Sequence, residues 1–217
     1  VILKEGDARK LPFAADTFDV VILAGNSFGY FESSRDDLKV LKEIRRVLKP
    51  MGIVLIDVTD GDYMRKKFQP RSWEWIDKRY FVCRERSLSK NKERLISREV
   101  ITHVKKGVIA DQFYAERLYT QTSLKDLFNQ ADYREIAFHT EMITDSKRNQ
   151  DLGMMERRII ITGRADKKWS PVKRTVKGSK TIFVLLGDPR KIDRIKPEAN
   201  FDEDDFYDGG CTRDDIQ

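Results

Sequence analysis

The segment Phe18–Val58 decides the fold, and it reads FDVVILAGNSFGYFESSRDDLKVLKEIRRVLKPMGIVLIDV. It opens and closes on unbroken apolar runs, Phe18–Leu23 and Ile53–Val58. Such runs are typical of strands that are buried on both faces of a parallel sheet. Between them, apolar residues recur at helical spacing: Leu38, Leu41, Ile44, Val47 and Leu48. Strand, helix and strand together predict a right-handed crossover unit in an α/β fold. The predicted elements are strands Val1–Glu5, Phe18–Ala24 and Ile53–Val58, with the helix at Asp36–Leu48.

Downstream of Asp62 the pattern changes to looser alternation with charges throughout. It predicts a three-stranded antiparallel unit with one solvated face, built from Tyr80–Ser87, Arg94–Val104 and Asp111–Thr120. A short helix beginning at Thr122 or Ser123 and two strands, Tyr133–Phe138 and Arg157–Thr162, follow. The sequence therefore predicts one domain over 1–164 with an insertion at about 78–120, and a basic linker over 165–180. A strand candidate, Thr181–Leu186, then opens a poorly ordered acidic tail over 181–217.

Composition and charge limit the partners and the cellular compartment that we expect for this protein. The 217 residues carry a net charge of +6, and the one dense basic stretch, Lys167–Lys180, lies in the predicted linker, so we expect no nucleic-acid partner. No apolar run approaches the roughly 18 to 20 residues that span a bilayer, so we expect no membrane partner. Cys83 and Cys211 form neither a disulfide framework nor a zinc pattern, and His103 and His139 lack ligand spacing. These features favour a cytoplasmic protein without a metal site.

Three predicted strands end in small and polar residues: Gly6-Asp7-Ala8, Ala24-Gly25-Asn26-Ser27 and Asp57-Val58-Thr59-Asp60. In an open parallel sheet, ligands bind outside the carboxyl ends of the strands. An Asp after a single strand is more often a turn former or a helix cap. Three such ends in succession favour a binding site. We therefore expect Asp7, Ala8 and Asn26 to lie in one cleft at that edge.

The segments EGDARKLPFAADTFDVVILAGNSFGYF and DDLKVLKEIRRVLKPMGIVLIDV resemble the middle of a class I S-adenosylmethionine-dependent methyltransferase. The elements that carry the resemblance occur in the family's order: Asp7-Ala8, Leu11-Pro12-Phe13, Phe18-Asp19-Val20-Val21 and Arg46-Val47-Leu48-Lys49-Pro50-Met51-Gly52. Position 51 is Met where the family usually has Gly. The resemblance implies a partial Rossmann-like methyltransferase sheet, with the antiparallel β subdomain inserted on the substrate side. It is strong over Val1–Asp62 and looser as far as Arg164.

The resemblance also implies residue roles. S-adenosylmethionine would be bound by Asp7, Ala8, Ala24, Gly25 and Asn26, with Asp7 accepting from the adenine amine. Ser27, Phe28 and Tyr30 would face the transferred methyl group or a small-molecule substrate. The aromatic segment after Asp60 adds three substrate candidates, Tyr63, Arg71 and Trp73, because Arg71 could hold an acidic group. The alternative is that Trp73 and Trp75 pack the insertion onto the sheet. No catalytic base stands out, and methyl transfer needs mainly alignment.

Two family elements do not occur in the sequence: the glycine-rich loop after the first strand and the acidic residue that ends the second. Both would precede Val1, so we expect the sequence to be a fragment and to bind the cofactor weakly. Two other hypotheses stay open, a non-catalytic methyltransferase-like module and a different nucleotide-binding enzyme such as a dehydrogenase. Thr181–Phe206 faintly resembles the opening strand and loop of a D-alanine–D-alanine ligase-like chain. The oligomeric state is not predicted.

Overall fold

The computed structural model describes residues 4–139 and 157–170. In chain order the elements are β1 Phe18–Leu23, α1 Ser34–Val47, β2 Leu48–Thr59, α2 Gly61–Lys67, β3 Arg71–Trp75, β4 Tyr80–Leu88, β5 Arg94–His103, β6 Gly107–Arg117, α3 Gln121–Gln130, β7 Arg134–His139 and β8 Arg158–Arg164. They fall into two compact units. Of the described residues, unit 1 comprises 4–58, 121–139 and 159–170, and unit 2 comprises 59–120 and 157–158.

Unit 1 contains the sheet predicted from the apolar runs. Its strand order is β1-β2-β8-β7, and β1 pairs with β2 in parallel through Ile22 and Leu55. Ser33 caps α1, since its side chain accepts from the Arg35 N–H. The buried side of that helix is Val40, Leu41, Ile44 and Val47, each at most 1% exposed. The predicted strand–helix–strand unit is confirmed, within a mixed α/β fold.

Two predicted strands of unit 1 differ most from the observed elements. Lys4 and Glu5 are not in a strand, and the rest of the run predicted at the start, residues 1–3, lies outside the described residues. β2 begins at Leu48, five residues earlier than predicted, with an irregular register opposite Phe18 and Val20. Met51 has φ +62 within that irregularity. The Lys49–Gly52 segment, which the prediction left between the helix and the strand, is therefore an irregular first part of the strand.

Unit 2 contains an antiparallel sheet of four strands in the order β3-β4-β5-β6. The sequence predicted the last three and missed β3, which pairs with β4 from Arg71↔Glu85 to Trp75↔Phe81. β3 is five residues long and buries Glu74 rather than its tryptophans, so it lacks the buried apolar face that indicates a strand. The sheet therefore begins at Arg71, ahead of the predicted insertion boundary near residue 78. Helix α2 packs Met64 with Leu95 and Leu118 in a small apolar cluster.

Residues 165–170 follow β8, where the sequence predicted a linker, and they pack against the rest of unit 1. The Ala165 N–H donates to the Gly52 carbonyl, and the Met51 N–H donates to the Ala165 carbonyl. Lys167 bonds the Arg45 and Arg46 carbonyls at the end of α1. The strand candidate Thr181–Leu186, the tail with its ligase resemblance, and Cys211 lie outside the described residues.

No helix within the described residues has the length and apolar character needed to cross a bilayer.

Candidate cofactor site

Asp7 and Ala8 form a tight turn with Arg9 and Lys10. The Lys10 N–H donates to the Asp7 carbonyl at 2.9 Å, and the Arg9 N–H donates to Asp7 Oδ1 at 2.8 Å. The Arg9 guanidinium then bonds both carboxylate oxygens of Asp7, with Nη2 2.7 Å from Oδ2. Ala8 is 2% exposed. The turn therefore holds the Asp7 carboxylate in one orientation.

Arg9 joins this turn to the loop that follows β1. Its Nη1 donates to Asp36 at 3.2 Å, in the first turn of α1, and its guanidinium lies 4.5 Å from the centroid of the Phe31 ring. The hydrogen bonds from the Arg9 guanidinium hold the pKa of Asp7 below its usual range. Asp7 is therefore ionised at neutral pH, with acceptor capacity on both oxygens.

The ends of β1 and β2 meet at Gly25 and Asp57. The Gly25 N–H donates to Asp57 Oδ2 at 3.2 Å. Gly25 and Asn26 both have left-handed backbones, with φ values of +68 and +60. A Cβ built at Gly25 would meet none of the described atoms within 4 Å, so a ligand could approach this backbone closely. Asn26 Nδ2 donates to the Tyr30 hydroxyl at 3.1 Å.

Unit 1 thus contains all five predicted cofactor residues and three of the substrate candidates. Ala24 and Gly25 are exposed, Ser27 and Tyr30 are half-buried, and Asn26 is buried. Phe28 is 3% exposed, which favours a packing role for its ring. The contacts of Arg9 connect the Asp7 turn to Phe31 and Asp36, and the contact of Asp57 connects β2 to Gly25.

The other substrate candidates lie in unit 2, and they do not come together there. Tyr63 packs against the Met64, Leu95 and Leu118 cluster, and Arg157 lies over its ring at 5.4 Å. Arg71 and Trp73 lie on the opposite, exposed face of the sheet, where Arg71 pairs with Glu85 at 3.3 Å. Trp73 and Trp75 are 65% and 53% exposed, so they do not pack the insertion onto a core.

Sequence reasoning missed Arg9, Phe31 and the carboxylate contact of Asp57. A signal for Arg9 existed, since an arginine two residues after an aspartate in a turn can return to its carboxylate. Asp60 has the ordinary role for an Asp after a strand. It caps α2, accepting from the Asp62 and Tyr63 N–H groups at 2.9 and 3.2 Å.

The fold is that of the class I S-adenosylmethionine-dependent methyltransferases. It is shared with a solved S-adenosylmethionine-dependent methyltransferase from Clostridium acetobutylicum at a TM-score of 0.56 and 15% identity, covering 73% of this chain and 62% of that one. The CcbJ methyltransferase from Streptomyces caelestis matches at a TM-score of 0.55 and 14% identity, covering 75% and 62%.

The amino-terminal part of the chain is also similar in sequence to methyltransferases. Residues 1–56 match the family described as "Methyltransferase domain". Over 69 residues the chain is 38% identical to the cypemycin N-terminal methyltransferase of a Streptomyces species, covering 31% of this chain and 28% of that relative. Over 58 residues it is 33% identical to the putative methyltransferase YqeM of Bacillus subtilis, covering 27% and 24%. The chain thus spans less than two thirds of the length of these relatives and structures.

Proposed function

We propose that this protein is an S-adenosylmethionine-dependent methyltransferase acting on a small-molecule substrate in the cytoplasm. The observation that carries the proposal is the arrangement of the Asp7 turn and of the loop after β1 in unit 1. An ionised Asp7 is held by Arg9 beside the loop after β1, and Gly25 offers an open backbone against Asp57. The match of residues 1–56 to a methyltransferase domain supports the same reading.

The resemblance to the methyltransferase family implies a role for each residue. Asp7 is an acceptor for the exocyclic amine of adenine, and the Ala8 backbone meets a ring nitrogen. Ala24, Gly25 and Asn26 line the cofactor where β1 ends. When bound, the cofactor supplies a methyl group on a sulfonium, and its transfer depends on alignment and exclusion of water rather than on a strong base. Ser27, Phe28 and Tyr30 are on the loop that would face that methyl group.

A ligand-observed experiment tests the site, because saturation-transfer NMR detects weak as well as tight binding. S-adenosylhomocysteine is added to the full 217-residue chain, and saturation is read separately on its adenine and homocysteine protons. We expect saturation of the adenine H2 and H8 protons, lost in Asp7→Ala and kept in the matched control Asp62→Ala. Asp62 is a suitable control because its side chain is 66% exposed and belongs to unit 2.

Two outcomes would contradict the proposal. One is the absence of saturation on both adenine protons of the wild-type mixture. The other is equal saturation in the wild type and in Asp7→Ala, which would place the ligand elsewhere. A dehydrogenase-type site would instead bind a nicotinamide dinucleotide under the same conditions, and that titration is run in parallel.

A further inference from the structure

The outer face of the unit 2 sheet is unusually apolar for an exposed surface. An antiparallel sheet with one solvated face ordinarily presents polar residues to water. Here the exposed side carries Trp73, Trp75 and Phe113 at 65%, 53% and 64% exposure, with Ile96 and Val108 at 37% and 62%. All five residues belong to β3, β5 or β6 of one sheet. They form an apolar surface without a cover among the described residues.

The aromatic residues of this outer face are ordered against one another. The Phe81 ring centroid lies 5.6 Å from that of Trp73 and 5.1 Å from that of Trp75. A large aromatic side chain buries about 150 to 250 Å², so the exposed parts of the three most exposed rings amount to roughly 350 Å². With Ile96 and Val108 the surface approaches the upper end of what monomers expose, roughly 300–600 Å². It supplies more than half of the roughly 800 Å² per partner of a stable interface.

A ladder of alternating charges crosses the same outer face. Arg71 on β3 pairs with Glu85 on β4 at 3.3 Å, and Glu85 pairs with Arg98 on β5 at 4.0 Å. Arg98 in turn pairs with Asp111 on β6 at 2.6 Å. Each strand contributes one charge, in the order plus, minus, plus, minus.

This ladder is complementary to itself. A two-fold axis parallel to the strands places β3 of one copy over β6 of the other and so reverses the order of charges. Arg71 then faces the end that carries Asp111, and Glu85 faces the strand that carries Arg98. Glu85 and Arg98 of the two copies then lie opposite each other, and Asp111 lies two residues along β6 from the position opposite Arg71. A closed two-fold interface needs such self-complementarity. A face of one sign, or an odd ladder with like ends, would repel its own copy.

We propose that the outer face of β3–β6 is the interface of a symmetric dimer of this chain. The aromatic residues supply the apolar area, and the charge ladder sets the register and selects a second copy over other partners. This interface assigns Arg71 and Trp73 to self-association rather than to substrate binding. It is independent of methyl transfer and of the cofactor site.

The first test measures mass in solution. Sedimentation velocity of the full chain over a range of micromolar concentrations is expected to show a species of twice the chain mass. The double variant Trp73→Glu/Trp75→Glu should raise the dimer dissociation constant at least about tenfold, since buried aromatics dominate interface energetics. Trp169→Glu is the matched control, because Trp169 is 53% exposed but belongs to unit 1. Circular dichroism confirms that each variant is folded.

A cysteine on the outer face allows the proposed interface to be tested by cross-linking. Cys83 is an exposed free thiol on the outer face, opposite Trp73 on β3 and Val100 on β5. Facing sheets pack about 10 Å apart, so a short bismaleimide of about that span should link two copies through Cys83. The background is Cys211→Ser, which leaves Cys83 as the single cysteine. Cross-linking should fall in the double tryptophan variant and stay unchanged in Trp169→Glu.

The second test inverts the ladder with Arg71→Glu, Glu85→Arg, Arg98→Glu and Asp111→Arg together. The inverted chain keeps alternating pairs within itself and remains complementary to its own copy. Against the wild type, each position would now meet a like charge. We expect the inverted chain and the wild type each to form homodimers and to exclude mixed dimers. A monomer at all concentrations, unchanged dimerisation of the tryptophan variant, or mixed dimers at the statistical ratio would overturn the proposal.

Discussion

Units 1 and 2 each bury a face of a sheet, but the buried side chains are mostly apolar in unit 1 and include several charged residues in unit 2. In unit 1 most of the buried residues of β1 and α1 are apolar, among them Leu23, Leu41 and Ile44, and Asp37 is the charged exception. In unit 2 the inner face of the sheet buries charges. Arg84 is 4% exposed and bonds both Glu74 and Glu99, with Nε 2.5 Å from Glu99 Oε2.

The comparison shows that a sheet can be stabilised either by apolar burial or by buried ion pairs. Apolar burial in unit 1 is non-directional and tolerates changes of similar size and hydrophobicity. The buried ions of unit 2 depend on every partner being present, because desolvation is compensated only by complete pairing. Gln112 belongs to the same arrangement, since its amide donates to Glu99 Oε1 at 2.9 Å. The difference between the two units should therefore be clearest in the loss of stability when one partner of the unit 2 cluster is removed.

The largest effect is expected from Arg84→Met. The methionine fills the space of the arginine stem but leaves Glu74 and Glu99 buried without their cation. Breaking a buried pair by removing one partner costs about 3–5 kcal/mol. Urea unfolding followed by circular dichroism, at one fixed protein concentration, measures the change. Arg79→Ala is the control, because its ion pair with Asp77 is exposed. A loss below 1 kcal/mol would show that the unit 2 cluster does not depend on its arginine.

Unit 1 contains a smaller counterpart of this cluster at Asp16. Asp16 is 1% exposed, its Oδ1 lies 2.8 Å from Lys167 Nζ, and its Oδ2 accepts from the Ser170 N–H at 2.7 Å. Asp16 has φ +55, which Asn also adopts readily. Asp16→Asn should cost about 2 kcal/mol at neutral pH, since a charged hydrogen bond is lost while the turn is kept. Asp19→Asn, at an exposed ion pair with Lys49, is the matched control.

The Asp16 effect should depend on pH in a defined direction. Burial alone would raise the pKa of Asp16, but hydrogen bonds from Lys167 and Ser170 outweigh it and lower the pKa. An Asp with a lowered folded pKa stabilises fully above its unfolded value of about 3.9, and the contribution is lost as pH falls through the folded pKa. The stability gap between wild type and Asp16→Asn should therefore shrink below about pH 4. A constant gap down to pH 2 would contradict this assignment.

The same contrast explains what the sequence could predict. The strands at Phe18–Leu23 and Ile53–Val58 could be predicted because both runs are apolar and both strands bury apolar side chains, as hydropathy indicates. In β4 the buried positions are Val82, Arg84 and Arg86, while Phe81 and Cys83 face outward. Hydropathy would place Phe81 and Cys83 on the buried face and the two arginines on the exposed face. The polar inner face could therefore not be predicted from it.

The candidate site was predictable only in part, for a related reason. Turn chemistry and strand order indicated Asp7, Gly25 and Asn26 without any contact information. The role of Arg9 depends on Phe31 and Asp36 coming beside the Asp7 turn, and sequence spacing alone does not provide that. For β3, Trp73 and Trp75 alternate with half-buried and buried polar residues, a pattern that is explained if a second copy covers the tryptophans.

The smallest effect is expected at the irregular start of β2, and it has the opposite sign. Met51 has φ +62 and is 47% exposed, so its Cβ is strained while its side chain gains little from burial. Met51→Gly should therefore stabilise the protein by roughly 0.5–1 kcal/mol, the strain relieved exceeding the added entropy of the unfolded chain. The neighbouring Gly52 is the matched contrast. A Cβ there would lie 2.9 Å from the Lys49 carbonyl oxygen and 3.0 Å from that of Asp19, so Gly52→Ala should destabilise. Urea unfolding of both variants decides the matter, because a destabilised Met51→Gly protein would mean that the methionine side chain contributes more than its backbone strain costs.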